Sequence, residues 1–369
     1  MKVLTIGSSP PPIDGQSLAF KSAVKALKLS HDILEVQTSF RSNNFVHSVF
    51  LVFVYIFKVL KSKIVFRPDV IYFVCSRTLI GSIRDLLLLI VYRKSKSLII
   101  NHIHGSNLID FIDKTPVFYK KILLYYYSRI DINVALSESM KLQLETLQPF
   151  KNKVVIVHNF YEDMPDRFNI KDENKPFNPL PIKLVYLSGI CTTKGVFDLI
   201  KASVNLSDRG IRHTLNIAGK GIDDAFLSAI DAEKKVISSI DKLESIKYLG
   251  LVTGLEKYEL LNNSHVFILP SYYDSEAIPL SIIEAMRMGC VIITTNYKYL
   301  PDLVVHGVNG YLVRIKSIND IVDTIINIYS NPLEFEKISA HNKTYAIKHY
   351  SESAYKSNII KLISNDYSI

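Results

Sequence analysis

Residues 264–313 read SHVFILPSYYDSEAIPLSIIEAMRMGCVIITTNYKYLPDLVVHGVNGYLV. The apolar run VFILP is typical of a buried strand, and the polar segment SYYDSEA ends it. From Pro279 onward apolar residues recur at helical spacing, Gly289 is placed to end the helix, and VIITT follows as a second strand. This order predicts a strand, loop, helix, strand and loop within a parallel α/β sheet.

Two glutamates occupy distinct places in this unit. Glu276 lies in the polar loop, and Glu284 lies eight positions later, roughly two turns into the helix. Ligands of parallel sheets bind at the carboxyl ends of the strands, where helix N-termini present unpaired N–H groups to anions. We therefore predict that the segment 275–279 holds an anion, with one carboxylate over it in the loop and the other in the helix.

The positions around the two glutamates resemble the nucleotide-sugar site of family 4 retaining glycosyltransferases. That family has an E-x7-E signature, a Pro-Ser pair before it and a glycine-containing tail after it. The matching residues are Pro270, Ser271, Glu276, Pro279, Glu284, Ala285, Gly289, Pro301, Asp302, Gly307 and Gly310. Two positions differ from the family pattern, since Ala277 replaces a glycine and Asp302 replaces a glutamate. The methyl group of Ala277 is expected beside the donor sugar, where it can alter the choice of sugar.

The resemblance implies an α/β fold of the GT-B type. In this fold two doubly wound, Rossmann-like domains face a central cleft, and a C-terminal helix crosses back to the first domain. We predict an acceptor-binding domain at 1–162, a linker at 163–181, a nucleotide-sugar-binding domain at 182–340 and a returning helix at 341–369. The residues agree with this division, because strands and helices alternate in both halves and a stretch rich in proline, asparagine and charge separates them.

A second segment, SGICTTKG, resembles the family motif G-R-x-x-x-x-K-G. Lys194 matches its lysine, and a cation here would stabilise the negative charge that grows on a departing diphosphate. The usual arginine is absent, and Gly189 lies in its neighbourhood as an expected donor-binding residue. Either backbone N–H groups stabilise the diphosphate charge in place of the arginine, or another cation replaces it. The candidates are Arg212, Lys220 and Arg287.

Two segments of the first half also resemble family motifs. Gly15 follows the first strand and is expected to let the backbone approach a phosphate at a helix start, as in the family's glycine loop. The run NHIHG resembles the family's H-x-H-G segment. The resemblance implies that its last histidine, His104, lies close to the donor sugar as a catalytic residue. A pair of structural histidines is the alternative. Metal binding is not expected, because no third ligand accompanies His102 and His104.

The family roles carry over to the matching positions. Glu284 is expected to hold the nucleotide ribose, Glu276 to contact hydroxyls of the donor sugar, and Lys194 to stabilise the leaving diphosphate. Backbone groups are expected to surround the phosphates and the sugar at Ala277, Ile278, Pro279 and Leu280. No metal is implied, and a UDP-sugar is expected rather than a GDP-sugar.

Composition and charge limit the possible functions. The chain has 369 residues, of which 48% are hydrophobic and 21% charged, as in a globular protein of two domains. Residues 1–161 hold 21 Lys+Arg against 10 Asp+Glu, and the remainder holds 23 against 25, so the net charge of +9 belongs to the first half. The first half also has long apolar runs beside its basic residues. This pattern suits an anionic membrane face, or equally a buried core with solvated lysines at helix ends.

Other classes are disfavoured. No motif that reads DNA or RNA is present. Three scattered cysteines argue against a disulfide scaffold, and the first residues lack the apolar core of a signal peptide, so a cytoplasmic location is expected, peripheral to the membrane if the basic face binds it.

The resemblance implies a retaining glycosyltransferase. It would move a sugar from a nucleotide-diphosphate sugar to a lipid-linked or oligosaccharide acceptor in the biosynthesis of bacterial surface polysaccharide, such as O-antigen, capsule or lipopolysaccharide. Two alternatives stay open: another enzyme on the same fold, such as a phosphorylase or a sugar-nucleotide epimerase, and a non-catalytic binder of nucleotide sugars.

Overall fold

The computed structural model describes residues 1–11, 13–38, 45–164 and 181–364, and the side chains of residues 45–50 are outside that description. The chain divides into two compact units. Unit 1 consists of Met1–Asn159 with Ser353–Ile369, and unit 2 consists of Phe160–Glu352. Most of the predicted linker, residues 165–180, lies outside the described residues.

Unit 1 is built on a six-stranded parallel sheet with the order β2-β1-β3-β4-β5-β6. Its strands are β1 (Lys2–Gly7), β2 (Asp32–Gln37), β3 (Val70–Phe73), β4 (Leu98–His102), β5 (Ile132–Ala135) and β6 (Val154–Ile156). Its helices are α1 (Gly15–Leu27), α2 (Phe45–Lys61), α3 (Leu79–Tyr92), α4 (Leu108–Lys114), α5 (Val117–Tyr127) and α6 (Glu138–Leu144), with a π-helical turn at Ser62–Phe66.

Unit 2 has a second six-stranded parallel sheet with the order β12-β11-β10-β7-β8-β9. Its strands are β7 (Ile182–Leu187), β8 (His213–Ala218), β9 (Ile246–Gly250), β10 (Val266–Leu269), β11 (Val291–Thr295) and β12 (Gly310–Val313). Its helices are α7 (Val196–Asp208), α8 (Ala229–Ile240), α9 (Gly254–Asn262), α10 (Leu280–Arg287), α11 (Leu300–Leu303), α12 (Ile318–Ser330) and α13 (Pro332–His349). The last helix, α14 (Glu352–Ile363), lies almost entirely in unit 1.

The central strands are buried on both faces, which explains their continuous apolar sequences. All four residues of β3 and all four of β10 are buried. Strand β2 lies at a sheet edge and is only partly buried. Near-continuous apolar runs are the mark of parallel sheets covered by helices on both faces, so the predicted α/β class is confirmed.

Each sheet has one point at which the strand order reverses. In unit 2 the chain moves from β7 outward to β8 and β9, then returns to place β10 on the other side of β7. In unit 1 the corresponding point lies between β1 and β3. Crevices at the carboxyl ends of such neighbouring strands are where open α/β sheets bind ligands.

The element boundaries differ from the prediction in a few places. Helix α4, the single turn α11 and strand β12 were not predicted as elements. Residue 341, the predicted start of the returning helix, lies within α13, which continues to His349. The two units divide later, between Glu352 and Ser353.

Candidate active site

The candidate site of unit 2 lies where its strand order reverses. The loops after β7 and after β10 meet there, and the backbone N–H of Tyr272 donates to the Thr193 carbonyl at 2.7 Å. Gly195 has a φ of 78°, and a Cβ atom at this position would lie 2.2 Å from the carbonyl oxygen of Pro270. Glycine is therefore required both for the left-handed backbone and for the close approach of the two loops.

This contact brings Lys194 and Glu276 together. The ammonium group of Lys194 lies 2.7 Å from Glu276 Oε2, and the hydroxyl of Ser271 donates to the same oxygen at 2.6 Å. The side chains are 12% exposed for Lys194 and 6% exposed for Glu276. Two residues that are 82 positions apart thus form a nearly buried ion pair at the carboxyl ends of β7 and β10.

The geometry leaves both groups capable of further bonds. An ammonium has three N–H donors, and a carboxylate has two oxygens with several acceptor positions. Both bonds to Glu276 use Oε2, so Oε1 is the oxygen available to a ligand hydroxyl. The ammonium of Lys194 also lies 4.8 Å from the ring centroid of Tyr273, a distance typical of a cation–π contact.

Glu284 lies in a second buried network. Lys257 donates to Glu284 Oε1 at 2.6 Å and to Glu162 Oε2 at 3.0 Å, and the Tyr258 hydroxyl lies 3.5 Å from Glu284 Oε1. Burial lowers the pKa of Lys257, but Glu284 and Glu162 outweigh it and hold that pKa above its ordinary value. Lys257 therefore remains charged and compensates a carboxylate that is only 3% exposed.

The segment between the two glutamates leads into α10. Ala277, Ile278 and Leu280 are 5–6% exposed, and Pro279 precedes the helix as its N-cap residue. No side chain caps this N-terminus. The predicted end of this helix at Gly289 is confirmed, because α10 ends at Arg287 and Gly289 has a φ of 70°.

The three candidates for the missing arginine lie in different places. Arg212 precedes β8 and is therefore at the amino edge of the sheet, away from the site. Arg287 is buried at the end of α10, 5.6 Å from the ring of Tyr161. Lys220 follows the carboxyl end of β8, and its carbonyl accepts a hydrogen bond from the N–H of Ile190. Among the three, only Lys220 is in the loops at the correct edge, beside Gly189.

Two residues that the sequence did not indicate stabilise this arrangement. Asp224 accepts hydrogen bonds from the Thr193 N–H at 2.9 Å and from the Thr193 hydroxyl at 3.2 Å. Lys257 compensates Glu284, as described above. Neither belongs to a recognisable motif, and each acts on a partner more than 25 positions away.

His104 and its neighbours belong to unit 1. The rings of His102 and His104 are stacked with centroids 4.1 Å apart, and the Tyr72 hydroxyl lies 2.6 Å from Nδ1 of His102. Burial lowers the pKa of His102 to about 3 and that of His104 well below its ordinary value. Both imidazoles are therefore neutral at neutral pH. Within the described part of the chain, their Nε2 atoms are buried and have no hydrogen-bond partner.

Gly15 is the first residue of α1, and the preceding Asp14 caps this helix. The carboxylate of Asp14 accepts from the Ser17 N–H at 2.7 Å, and the Ser17 hydroxyl accepts from the Asp14 N–H at 3.0 Å. This capping box occupies one of the donors that a phosphate would use and puts a negative charge beside it. The phosphate contact expected at Gly15 therefore stays a prediction that the local electrostatics oppose.

No group of three or more histidine, cysteine, aspartate or glutamate side chains is placed to hold a metal ion within residues 1–11, 13–38, 45–164 and 181–364. None of the helices in those ranges is long and apolar enough to cross a membrane.

The second half of the chain resembles a known family. The model of the family described as glycosyl transferases, group 1, matches residues 167–349. These residues are similar to the group 1 glycosyl transferases, and the match covers just under half of the chain. The matched region includes Lys194, Glu276 and Glu284, and the predicted glycosyltransferase is confirmed at the level of this domain.

Two curated relatives of this chain are named as glycosyltransferases of polysaccharide biosynthesis. The amylovoran biosynthesis glycosyltransferase AmsK of Erwinia amylovora is 28% identical over 152 residues, which are 40% of this chain and 35% of the relative. The putative colanic acid biosynthesis glycosyltransferase WcaL of Salmonella typhimurium is 27% identical over 138 residues, which are 36% of this chain and 32% of the relative. The chain thus spans about a third of the length of these relatives.

A solved structure resembles the whole chain. HepE of Anabaena, in complex with UDP-glucose, has a TM-score of 0.72 and 15% sequence identity, and the match covers 99% of this chain and 100% of that one. At this identity the likeness concerns the fold, and it confirms the predicted GT-B architecture of two doubly wound sheets.

Proposed function

We propose that this protein transfers a sugar from a nucleoside-diphosphate sugar to an acceptor, with retention of the anomeric configuration. The observation that carries the proposal is the cluster of Lys194, Glu276 and Ser271 where the strand order of unit 2 reverses. It lies at the kind of sheet edge that binds nucleotides, within the region matched by the group 1 family. The E-x7-E signature of family 4 provides the roles for the two glutamates.

Each charged side chain of the cluster has a role that its geometry supports. Lys194 would use the N–H groups not bonded to Glu276 to stabilise the charge that develops on the leaving diphosphate. Glu276, held at Oε2 by Lys194 and Ser271, would present Oε1 to a hydroxyl of the donor sugar. Because an ion pair already holds the carboxylate in place, little reorganisation is needed when the sugar binds.

Glu284 would bind the hydroxyls of the ribose. Lys257 and Tyr258 contact its Oε1, so its Oε2 would face the nucleotide. The uncapped start of α10, with the backbone of Ala277, Ile278, Pro279 and Leu280, would lie against the diphosphate and the sugar. Near-complete burial of this loop would keep water from the reacting bond.

The donor, the acceptor and the cofactor requirement belong to the same proposal. We propose a UDP-sugar as donor and no metal requirement, because an ammonium and backbone N–H groups can meet the phosphate charge. The UDP and UDP-glucose named in the HepE structures support this donor class. We propose an oligosaccharide or lipid-linked acceptor in bacterial surface polysaccharide assembly, at the cytoplasmic face of the membrane. The names of AmsK and WcaL, which refer to amylovoran and colanic acid biosynthesis, support a role in polysaccharide assembly.

The test is a donor screen followed by turnover. Thermal unfolding of the full chain with UDP- and GDP-sugars, with and without a chelator, identifies the donor, because a ligand of the folded state raises the melting temperature. Release of UDP with a lipid-linked acceptor, and the anomeric configuration of the product by NMR, then test the reaction. An inverted product would contradict retention.

The alternatives predict different results in the same assays. A phosphorylase would need inorganic phosphate and would ignore nucleotide sugars. A non-catalytic binder would be stabilised by a UDP-sugar and would release no UDP with any acceptor. An epimerase would change the sugar without transferring it.

A further inference from the structure

The second helix of unit 1 exposes a stripe of large apolar side chains. The stripe begins in α2 and continues into the π-helical turn that follows it. Its members, at spacings of four, three and four residues, are Phe53, Phe57, Leu60 and Ile64, with exposed fractions of 66%, 66%, 43% and 69%. Neighbouring Val65 is 67% exposed. These spacings place the four side chains along one side of a helix.

The opposite side of the same segment attaches it to unit 1. Tyr55, Val59 and Ser62 are 1% exposed and recur at spacings of four and three residues. The Ser62 hydroxyl lies 2.7 Å from the hydroxyl of Tyr92 at the end of α3. The helix is thus packed on unit 1 by its buried stripe, and the exposed stripe is not needed for that packing.

Basic residues surround the exposed stripe. Lys58, Lys61, Lys63 and Arg67 interleave with it and are exposed. A second basic group comes from the turn after α3, which adjoins the π-helical turn because Lys63 donates to the carbonyl of Val91. That group consists of Arg93, Lys94 and Lys96, all of them exposed. We call this surface, from Phe53 to Arg67 together with residues 93–96, the basic apolar face.

Acidic side chains are nearly absent from this face. The sequence has no aspartate or glutamate between Glu35 and Asp69, and only Asp85 between Asp69 and Asp110. Asp85 is 1% exposed and lies 2.6 Å from the guanidinium of Arg84. Asp69 accepts a hydrogen bond from the N–H of Lys2. The face therefore has a strong net positive charge around an apolar centre.

We propose that the basic apolar face docks on the surface of an anionic lipid bilayer. Apolar side chains that enter the headgroup region, flanked by lysines that remain at the charged surface, are the two contributions that hold amphipathic helices on such membranes. A second copy of the chain is a poorer partner, because symmetric pairing of this face would bring like charges together. The proposal does not rest on sugar transfer, because no donor is needed for docking.

The test is binding of the full chain to lipid vesicles, measured by co-sedimentation. Vesicles of phosphatidylcholine with 30% phosphatidylglycerol are compared with pure phosphatidylcholine, at low and at high salt. One variant removes apolar groups, Phe57→Ser with Ile64→Ser, and a second reverses charge, Lys58→Glu with Lys61→Glu. Matched controls on exposed positions of unit 2 are Phe226→Ser with Ile230→Ser, and Lys234→Glu with Lys242→Glu.

We expect binding to the anionic vesicles, weakened by salt, and little binding to the neutral ones. Since each lysine near the surface contributes about a fivefold gain in affinity, the charge reversal should weaken binding by at least 25-fold, and the apolar variant by at least tenfold. The unit 2 controls should bind like the wild type.

Two results would overturn the proposal: wild-type protein that does not bind anionic vesicles, or controls that lose as much binding as the two variants. A wild-type dimer that Phe57→Ser with Ile64→Ser converts to a monomer in solution, with no loss of vesicle binding, would assign the face to self-association instead.

Discussion

Glu276 Oε2 accepts hydrogen bonds from a lysine of one loop and a serine of its own loop. The ion pair is nearly buried, so neither member can be removed without leaving the other uncompensated. Lys194 and Glu276 come from separate motifs, but each depends on the other as its counter-ion. Their mutual positioning also means that effects of substituting them will not add independently.

The second network gives a prediction about Lys257. Replacing Lys257 with methionine nearly preserves the volume of the side chain but leaves Glu284 and Glu162 without their cation. We expect the variant to lose about 3 kcal/mol of unfolding free energy, because breaking a buried pair strands a charge. Urea unfolding monitored on the unit 2 transition measures the loss.

The double variant Lys257→Met with Glu284→Gln is the matched control. It removes the stranded carboxylate and should recover a large part of the lost stability. A double variant as unstable as the sum of the two single variants would show that Lys257 does not act through Glu284.

At the scale of elements, the loop contact at Gly195 is what brings Lys194 to Glu276. Gly195 and Gly210 share a left-handed backbone, with φ of 78° and 74°, but differ in surroundings. A Cβ atom at Gly195 would meet the Pro270 carbonyl at 2.2 Å, whereas none of the described atoms lies within 4 Å of a Cβ atom at Gly210. Alanine substitutions at the two positions therefore distinguish the cost of backbone strain, which both share, from the cost of a steric clash, which only Gly195 has.

We predict that Gly195→Ala destabilises unit 2 more than Gly210→Ala. The second variant should cost about 1 kcal/mol of unfolding free energy for backbone strain alone, and the first should cost more because the two loops must move apart. Gly195→Ala should also lose most donor turnover, whereas Gly210→Ala should keep it. Equal losses of stability and turnover in both variants would mean that the loop contact does not position Lys194.

The elements themselves were largely predictable, and the exceptions have physical causes. β3 and β10 are apolar runs of four residues bounded by polar loops, so their sequences indicate strands directly. β12 also has four residues, but it follows a glycine-rich tail, and its sequence GYLV gives no alternation to recognise. The short helix α4 was missed because seven residues hold too few apolar positions to define a helical period.

Site residues could be predicted only where they lie in a recognisable sequence motif. Lys194, Glu276 and Glu284 were predicted by resemblance, and the structure brings Lys194 and Glu276 into contact. Lys257 was missed because it lies in a helix 27 positions before Glu284, and its sequence context gives no sign of burial. Pairing of distant charges depends on how helices pack, which local sequence patterns do not contain.

At the scale of the whole molecule, the buried histidines predict how stability depends on pH. The pKa of His102 is about 3 in the folded chain and about 6.5 in the unfolded chain. Between these values the unfolded chain takes up a proton that the folded chain excludes, so unfolding becomes easier as the pH falls from 6.5. We expect a loss of about 1.4 kcal/mol per pH unit from His102, with His104 adding to it.

His102→Asn should flatten this dependence, while the side chain can still hydrogen-bond to Tyr72. Urea unfolding of unit 1 between pH 7 and pH 5, above the range in which most carboxylates titrate, measures the slope. His341→Asn, at an exposed position of unit 2, is the control and should leave the slope unchanged. The same slope in His102→Asn and wild type would contradict the account of the histidine pair.

The assignment of the protein as a transferase depends on Lys194 and Glu276 acting as one unit on a nucleotide sugar. The most direct measurement is the rate of UDP release from the donor identified by the screen, for wild type, Lys194→Met, Glu276→Gln and the double variant. We predict that each single variant loses at least 100-fold in kcat/KM and that the double variant loses hardly more than either. The controls Lys234→Met and Glu259→Gln, at exposed positions, should match the wild type. Rates in Lys194→Met and Glu276→Gln that equal those of the controls would contradict the proposed site.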